Sequence, residues 1–103
     1  MLHTMAMTTH NTLVYDIPLH DLKSDAYKWF WVDFDCPTAD EEQLLDTFFH
    51  FHPLAIEDCL QELQRPKLDY YDECQFLVIH KINAETLFAE EINLFVSESF
   101  LVT

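Results

Sequence analysis

Glu57 and Asp58 are adjacent carboxylates in a stretch, Asp33 to Gln64, that contains no lysine or arginine. Two neighbouring acids repel unless something positive sits between them, and oxygen ligands of this kind recruit hard cations such as Mg²⁺. Glu62 lies one helical turn beyond Asp58 and adds to the repulsion. The same pair also reads as ordinary acids on a wet helix face, in the first turn, where the helix dipole favours them. A second constellation is His50-Phe51-His52. Alternate imidazoles project to one side of an extended segment, so with Asp46 or His80 they could ligate zinc or nickel, although no spacing motif supports that set. The plainer reading has His52 capping the helix that follows and His50 ending the one before. Asp33 and Asp35 alternate where a strand is ending and form a third carboxylate pair. Nothing resembles a nucleophile with its base or a glycine-rich phosphate loop, so the chain is read as non-enzymatic. A metal-dependent hydrolase built on His50, His52 and Asp58 is the catalytic alternative.

The elements that must position these residues follow from local pattern. Thr12 to Ile17 reads as a short strand ended by Pro18. The run Lys28 to Phe34, KWFWVDF, is apolar on both alternating faces, as in a central strand covered on two sides. Thr38-Ala39-Asp40-Glu41 is a capping box opening a helix whose apolar stripe is Leu44, Leu45, Phe48 and Phe49. Pro53 stops that helix and opens the next. In the second helix Ala55, Ile56, Cys59, Leu60 and Leu63 share one arc, while Glu57, Asp58, Gln61, Glu62 and Gln64 share the other. Arg65-Pro66 ends it, with Arg65 expected to close a salt bridge or bind helix carbonyls. Strands follow at Lys67 to Tyr71, Gln75 to Ile82, and Glu91 to Val96 with Phe100 to Thr103, the last two as a hairpin around Glu98-Ser99. Residues 1–11 read as a poorly ordered tail and 12–103 as one domain.

Composition limits the partners. The 103 residues carry a formal charge of −14 and half of them are hydrophobic, nine being phenylalanine. That composition argues for a packed core and against nucleic acid or an anionic membrane surface, both of which need clustered Lys and Arg. No apolar stretch approaches the roughly 20 residues of a membrane helix. With no signal peptide and an odd number of cysteines (Cys36, Cys59, Cys74), the expectation is a soluble chain in the reducing cytoplasm. Trp29, Trp31, Phe48, Phe49, Tyr70 and Phe76 read as core. The chain has no glycine. Asn83 and Asp72 are therefore expected to take the positive-φ turn positions. The element order points to an α/β or α+β fold, a mixed sheet with helices packed on it. Because the last strand is apolar to its end, the chain is expected to continue beyond Thr103.

His52-Pro53-Leu54-Ala55, Glu57-Asp58 and Gln64-Arg65-Pro66-Lys67, leading through Tyr70-Tyr71 into an apolar strand, together resemble the cytoplasmic domain of the CorA family of magnesium/cobalt transport proteins. The likeness runs over about Lys28 to Thr103 and is strongest from Phe49 to Ile79. It implies a truncated α/β/α domain that regulates a divalent-cation channel by sensing cytosolic Mg²⁺, with Co²⁺ as an alternative ion. It further implies pentameric assembly with other subunits of the same protein on the cytoplasmic side of a membrane, through C-terminal helices this chain lacks. By resemblance Asp58 faces the inter-subunit regulatory ion, Glu57 is its neighbour and secondary ligand, and the opposing carboxylate comes from the adjacent subunit. The fragment alone cannot transport. A free-standing acidic module that binds a basic protein, without metal sensing, is the alternative of a different class.

Overall fold

The structure, a computed structural model, describes residues 1–61 and 65–103. Its strands are β1 (Leu2–Thr8), β2 (Leu13–Tyr15), β3 (Tyr27–Phe34), β4 (Lys67–Tyr70), β5 (Gln75–Ile82), β6 (Ala89–Val96) and β7 (Phe100–Val102). They form one sheet in the order β2-β1-β3-β7-β6-β5-β4. Every neighbouring pair is antiparallel except β3 with β7, where Phe30, Val32 and Trp31 face Phe100, Val102 and Leu101 in parallel register. Between β3 and β4 come α1 (Ala39–Glu42), α2 (Leu44–Thr47) and α3 (Pro53–Leu60). The expected mixed sheet with packed helices is therefore present, including the β6–β7 hairpin, in which Phe95 pairs with Val102.

The first residues are strand rather than tail. Thr4 and Ala6 are buried, opposite Val32 and Phe30 of β3. The Thr4 hydroxyl donates to the Ile17 carbonyl (2.8 Å) and accepts from the Ile17 amide (2.6 Å). A buried hydroxyl needs such partners. The alternation is hidden in sequence because the buried positions carry a threonine and an alanine instead of large apolar side chains.

Helix packing rests on phenylalanines. Thr38 and Glu41 form the reciprocal capping box, Thr38 Oγ1 accepting from the Glu41 amide (3.2 Å) and Glu41 Oε1 from the Thr38 amide (3.0 Å). The single helix expected here is divided into two one-turn pieces joined at Gln43. Its end is closed by His50, whose φ of 55° places it in the left-handed region, and by the Phe51 amide donating to Leu45 O (3.0 Å). That is the turn for which glycine is favoured. With no glycine in the chain, Asn11, Asp16, Cys36, His50 and Leu87 take positive φ, and the expected Asn83 and Asp72 do not. Asn83 instead accepts from the Glu85 and Thr86 amides through its side chain (2.9 and 3.2 Å), and Leu87 a few residues later makes the left-handed turn. Phe51 then stacks on Phe95 of β6 with centroids 4.0 Å apart and on Phe49 at 5.2 Å, while Phe95 meets Phe76 of β5 at 4.9 Å.

Within this chain the helices cover one face of the sheet, the face that carries Phe30 and Val32 of β3. Pairing register places Met5, Met7, Leu13, Tyr15, Trp29, Trp31, Leu68, Tyr70, Leu77 and Ile79 on the opposite face. Tyr70 there is 72% exposed and Trp31 37%, against 0% for Phe76 on the covered face. Tyr70 and Trp31 are thus surface residues, and burial alone does not follow from being aromatic.

Phe51→Ala should lower stability by about 3–5 kcal/mol, since a large buried ring leaves a cavity. Tyr70→Ser on the open face should change it by less than about 0.5 kcal/mol, both read by urea unfolding. The cysteines provide a second check. Cys36 is exposed, whereas Cys59 is largely covered and burial, aided by Glu91 and Glu42, pushes its thiol up to about 12. Burial also raises Cys74. A thiol reagent at neutral pH should modify Cys36 in the folded protein and reach Cys59 and Cys74 only after denaturation.

Candidate functional site

The sharp feature of the sequence, Glu57-Asp58, sits on α3. Pro53 occupies its first turn and His52 caps it, the His52 Nδ1 accepting from the Leu54 amide (3.1 Å). The His52 ring also stacks on Tyr71 at 4.8 Å. These two contacts fix where the helix starts and in which direction it leaves the sheet.

The helix is shorter than its periodicity implied. Gln61 is extended (φ −77°, ψ 149°), so α3 closes at Leu60 and not at Arg65-Pro66. The arc positions Glu62, Leu63 and Gln64 lie outside the described residues. One consequence is electrostatic. No acid stands in the first turn of α3; Asp58 falls near its C-terminal end, where the helix dipole opposes a carboxylate.

The compensating charge comes from Lys67 at the start of β4. Its ammonium is hydrogen-bonded to Asp58 Oδ2 and lies 3.0 Å from Asp69 Oδ2. All three side chains are partly buried. The hydrogen bonds from Asp58 and then from Asp69 hold the Lys67 ammonium protonated well beyond its usual range, up to about 12. Phe76 of β5 lies beneath, 5.8 Å from the ammonium to the ring centroid. Glu57 points elsewhere, exposed to solvent and accepting from Gln61 Nε2 (3.2 Å).

So the structure separates the two predicted ligands and joins one of them to residues that sequence reasoning did not select. Lys67, not Arg65, is the cation at Asp58. The signal was faint: Lys67 and Asp69 alternate on a strand and so share a face, but nothing local says that this face returns beneath α3. Mg²⁺ takes near-octahedral oxygen coordination. Asp58, Asp69 and Glu57 offer oxygen chemistry of the right kind. Among the described residues, however, no group of three or more His, Cys, Asp or Glu is arranged to hold an ion.

The other constellations separate as well. His52 Nδ1 is committed to the helix cap and His50 to the left-handed turn, and among the described residues no three of these histidines and acids form a ligand set. Asp33 accepts from the Thr103 hydroxyl (2.9 Å), which itself accepts from Trp31 Nε1 (2.9 Å), while Asp35 pairs with His3 at 3.3 Å. The two aspartates thus serve different contacts and are not a catalytic pair.

A mixed sheet with a charge-compensated aspartate on a short helix packed over it defines a class of domain better than it defines a chemistry. The family description "CorA-like Mg2+ transporter protein" matches residues 27–103, and the chain belongs to that family. It is 50% identical over its whole length to YfjQ of Bacillus subtilis, whose name assigns it to metal ion transport, and it covers 32% of that protein. It is 31% identical over 65 residues to the cobalt/magnesium transport protein CorA of Thermotoga maritima, covering 59% of this chain and 18% of that one. In fold it is similar to the complete CorA magnesium transporter of Methanocaldococcus jannaschii (TM-score 0.75, 11% identity, 99% of this chain and 31% of that one). The soluble domain of the same transporter gives a TM-score of 0.71 at 13% identity, with 99% and 39% covered. The chain thus spans about a third of the length of YfjQ. Among the described residues no helix is long and apolar enough to cross a membrane.

The Lys67 contacts carry a measurable consequence. A lysine whose folded pKa lies above its unfolded value stabilises the fold fully below the unfolded value, and that contribution is lost as pH rises through the folded one. Lys67 should accordingly remain charged at pH 11, followed by its side-chain nitrogen signal in NMR. In Asp58→Asn its titration should move back toward the ordinary lysine value of about 10.4.

Proposed function

We propose that this chain is part of the soluble regulatory domain of a divalent-cation transporter, and that Asp58 faces a regulatory Mg²⁺ where neighbouring subunits meet. Family membership over three quarters of the chain supports the transporter assignment. The observation that carries the site is the position of Asp58. It is a partly exposed carboxylate at the end of a helix that is pinned at its start, and it is already paired with a cation. Glu57, on the wet side of the same helix, is the secondary ligand. The second carboxylate of the site comes from the adjacent subunit in a pentamer, and Co²⁺ is an alternative ion.

The mechanism is linkage. An ion that binds more tightly when two domains are apposed favours the apposed arrangement by its differential affinity. Apposition corresponds to the closed transporter, so abundant cytosolic Mg²⁺ limits its own entry. The residues here bind and position; transport belongs to membrane-spanning parts of the whole protein.

In the full-length protein, Asp58→Ala should raise the Mg²⁺ concentration needed for closure by about tenfold, within the usual range of coupling energies. Flux measured at graded internal Mg²⁺ reads this directly. An unchanged closure midpoint would remove Asp58 from the sensor.

A further inference from the structure

We propose that Lys67 is a built-in competitor of the ion at Asp58, and that Asp69 receives the lysine when the ion displaces it. This rests on the reading of Asp58 as the ion-facing residue. Lys67 and Asp69 occupy alternate positions of β4, opposite Val78 and Phe76 of β5, and so project to the same face. The ammonium already touches both carboxylates, Asp58 on α3 and Asp69 on its own strand. It can therefore leave Asp58 by rotation of its flexible stem and still keep one partner.

A divalent cation and an ammonium on one carboxylate repel each other in a partly buried setting, so an ion at Asp58 weakens the Lys67 contact and favours its transfer to Asp69. Binding of the ion is thus an exchange. Without the ion, Lys67 spares Asp58 the cost of an uncompensated charge at the wrong end of α3. With the ion, Asp69 spares Lys67 the same cost. Each cation is always paired, and the ion's apparent affinity is lowered by the fraction of Asp58 that Lys67 holds. An internal competitor of this kind moves the response of a sensor to higher ion concentrations without altering its ligands.

The test is a Mg²⁺ titration of this 103-residue chain labelled with nitrogen-15, at matched ionic strength, in wild type, Lys67→Met and Asp58→Asn. In wild type the Lys67 side-chain nitrogen signal should shift with the same midpoint as the backbone amides around Asp58. This needs no substitution and so does not depend on a variant folding. Lys67→Met, which keeps the stem and removes the charge, should saturate at about two- to fivefold lower Mg²⁺, the range expected for a partly exposed ion pair. A response seen only in Lys67→Met supports the competition equally. Equal or weaker binding in Lys67→Met, no response in either protein, or an unmoved Lys67 signal while Asp58 saturates overturns it. A response that persists unchanged in Asp58→Asn overturns the site itself. A response lost there but indifferent to Lys67 overturns the competitor alone.

Discussion

Phe51 is the contact on which the arrangement depends. It sits between two histidines in the short link from α2 to α3, and its ring lies flat against Phe95 in the middle of the sheet. Phe49 stacks on it as well, with centroids 5.2 Å apart. Burying these rings supplies apolar area and a fixed orientation together, since aromatic pairs have preferred geometry. Because the link is only a few residues long, pinning Phe51 sets the direction in which α3 leaves the sheet. The place of Asp58 above β4 follows from that direction. His52 adds to the same joint by capping α3 and stacking on Tyr71.

Charge imposes the second constraint. With 19 acidic and 5 basic side chains, the chain has few cations to place. Lys67 is placed between two carboxylates, and Lys23 donates to the Phe48 carbonyl while lying 4.4 Å over the Phe48 ring. Both lysines therefore tie helices to the rest of the fold. Surface ion pairs in general contribute little. The Lys67 cluster differs because one of its carboxylates stands at the unfavourable end of a helix dipole, where a missing cation is felt.

The absence of glycine shows how tolerant turns are when neighbouring contacts determine them. His50 and Leu87 adopt left-handed geometry, at a cost on the order of 1 kcal/mol each. At His50 the buried Phe51 next to it holds the turn. At Leu87 the turn begins with the side chain of Asn83 bonding two amides. Residue type predicts which amino acids adopt such geometry cheaply; packing decides which ones must.

The sequence by itself determined the elements with strong local signals. β5 follows an apolar run at Gln75 to Ile82, the α1 start follows the capping box, and the α3 start follows Pro53 and His52. Short-range sterics and hydrogen bonds fix each of these, and they act within a few residues of chain. The family was legible too, because His52-Pro53, Glu57-Asp58 and the Gln64 to Lys67 run keep their spacing. Only the tertiary structure decided that Leu2–Thr8 forms a strand, since Thr4 and Ala6 become core positions when β3 lies beside them. Only it decided which face of β3 these helices cover, because a strand's two sides look alike until the helices choose one. And only it joined Asp58 to Lys67 and Asp69, because these residues meet through the return of β4 beneath α3. A carboxylate's partner is set by distance in space, and spacing along the chain carries no record of that.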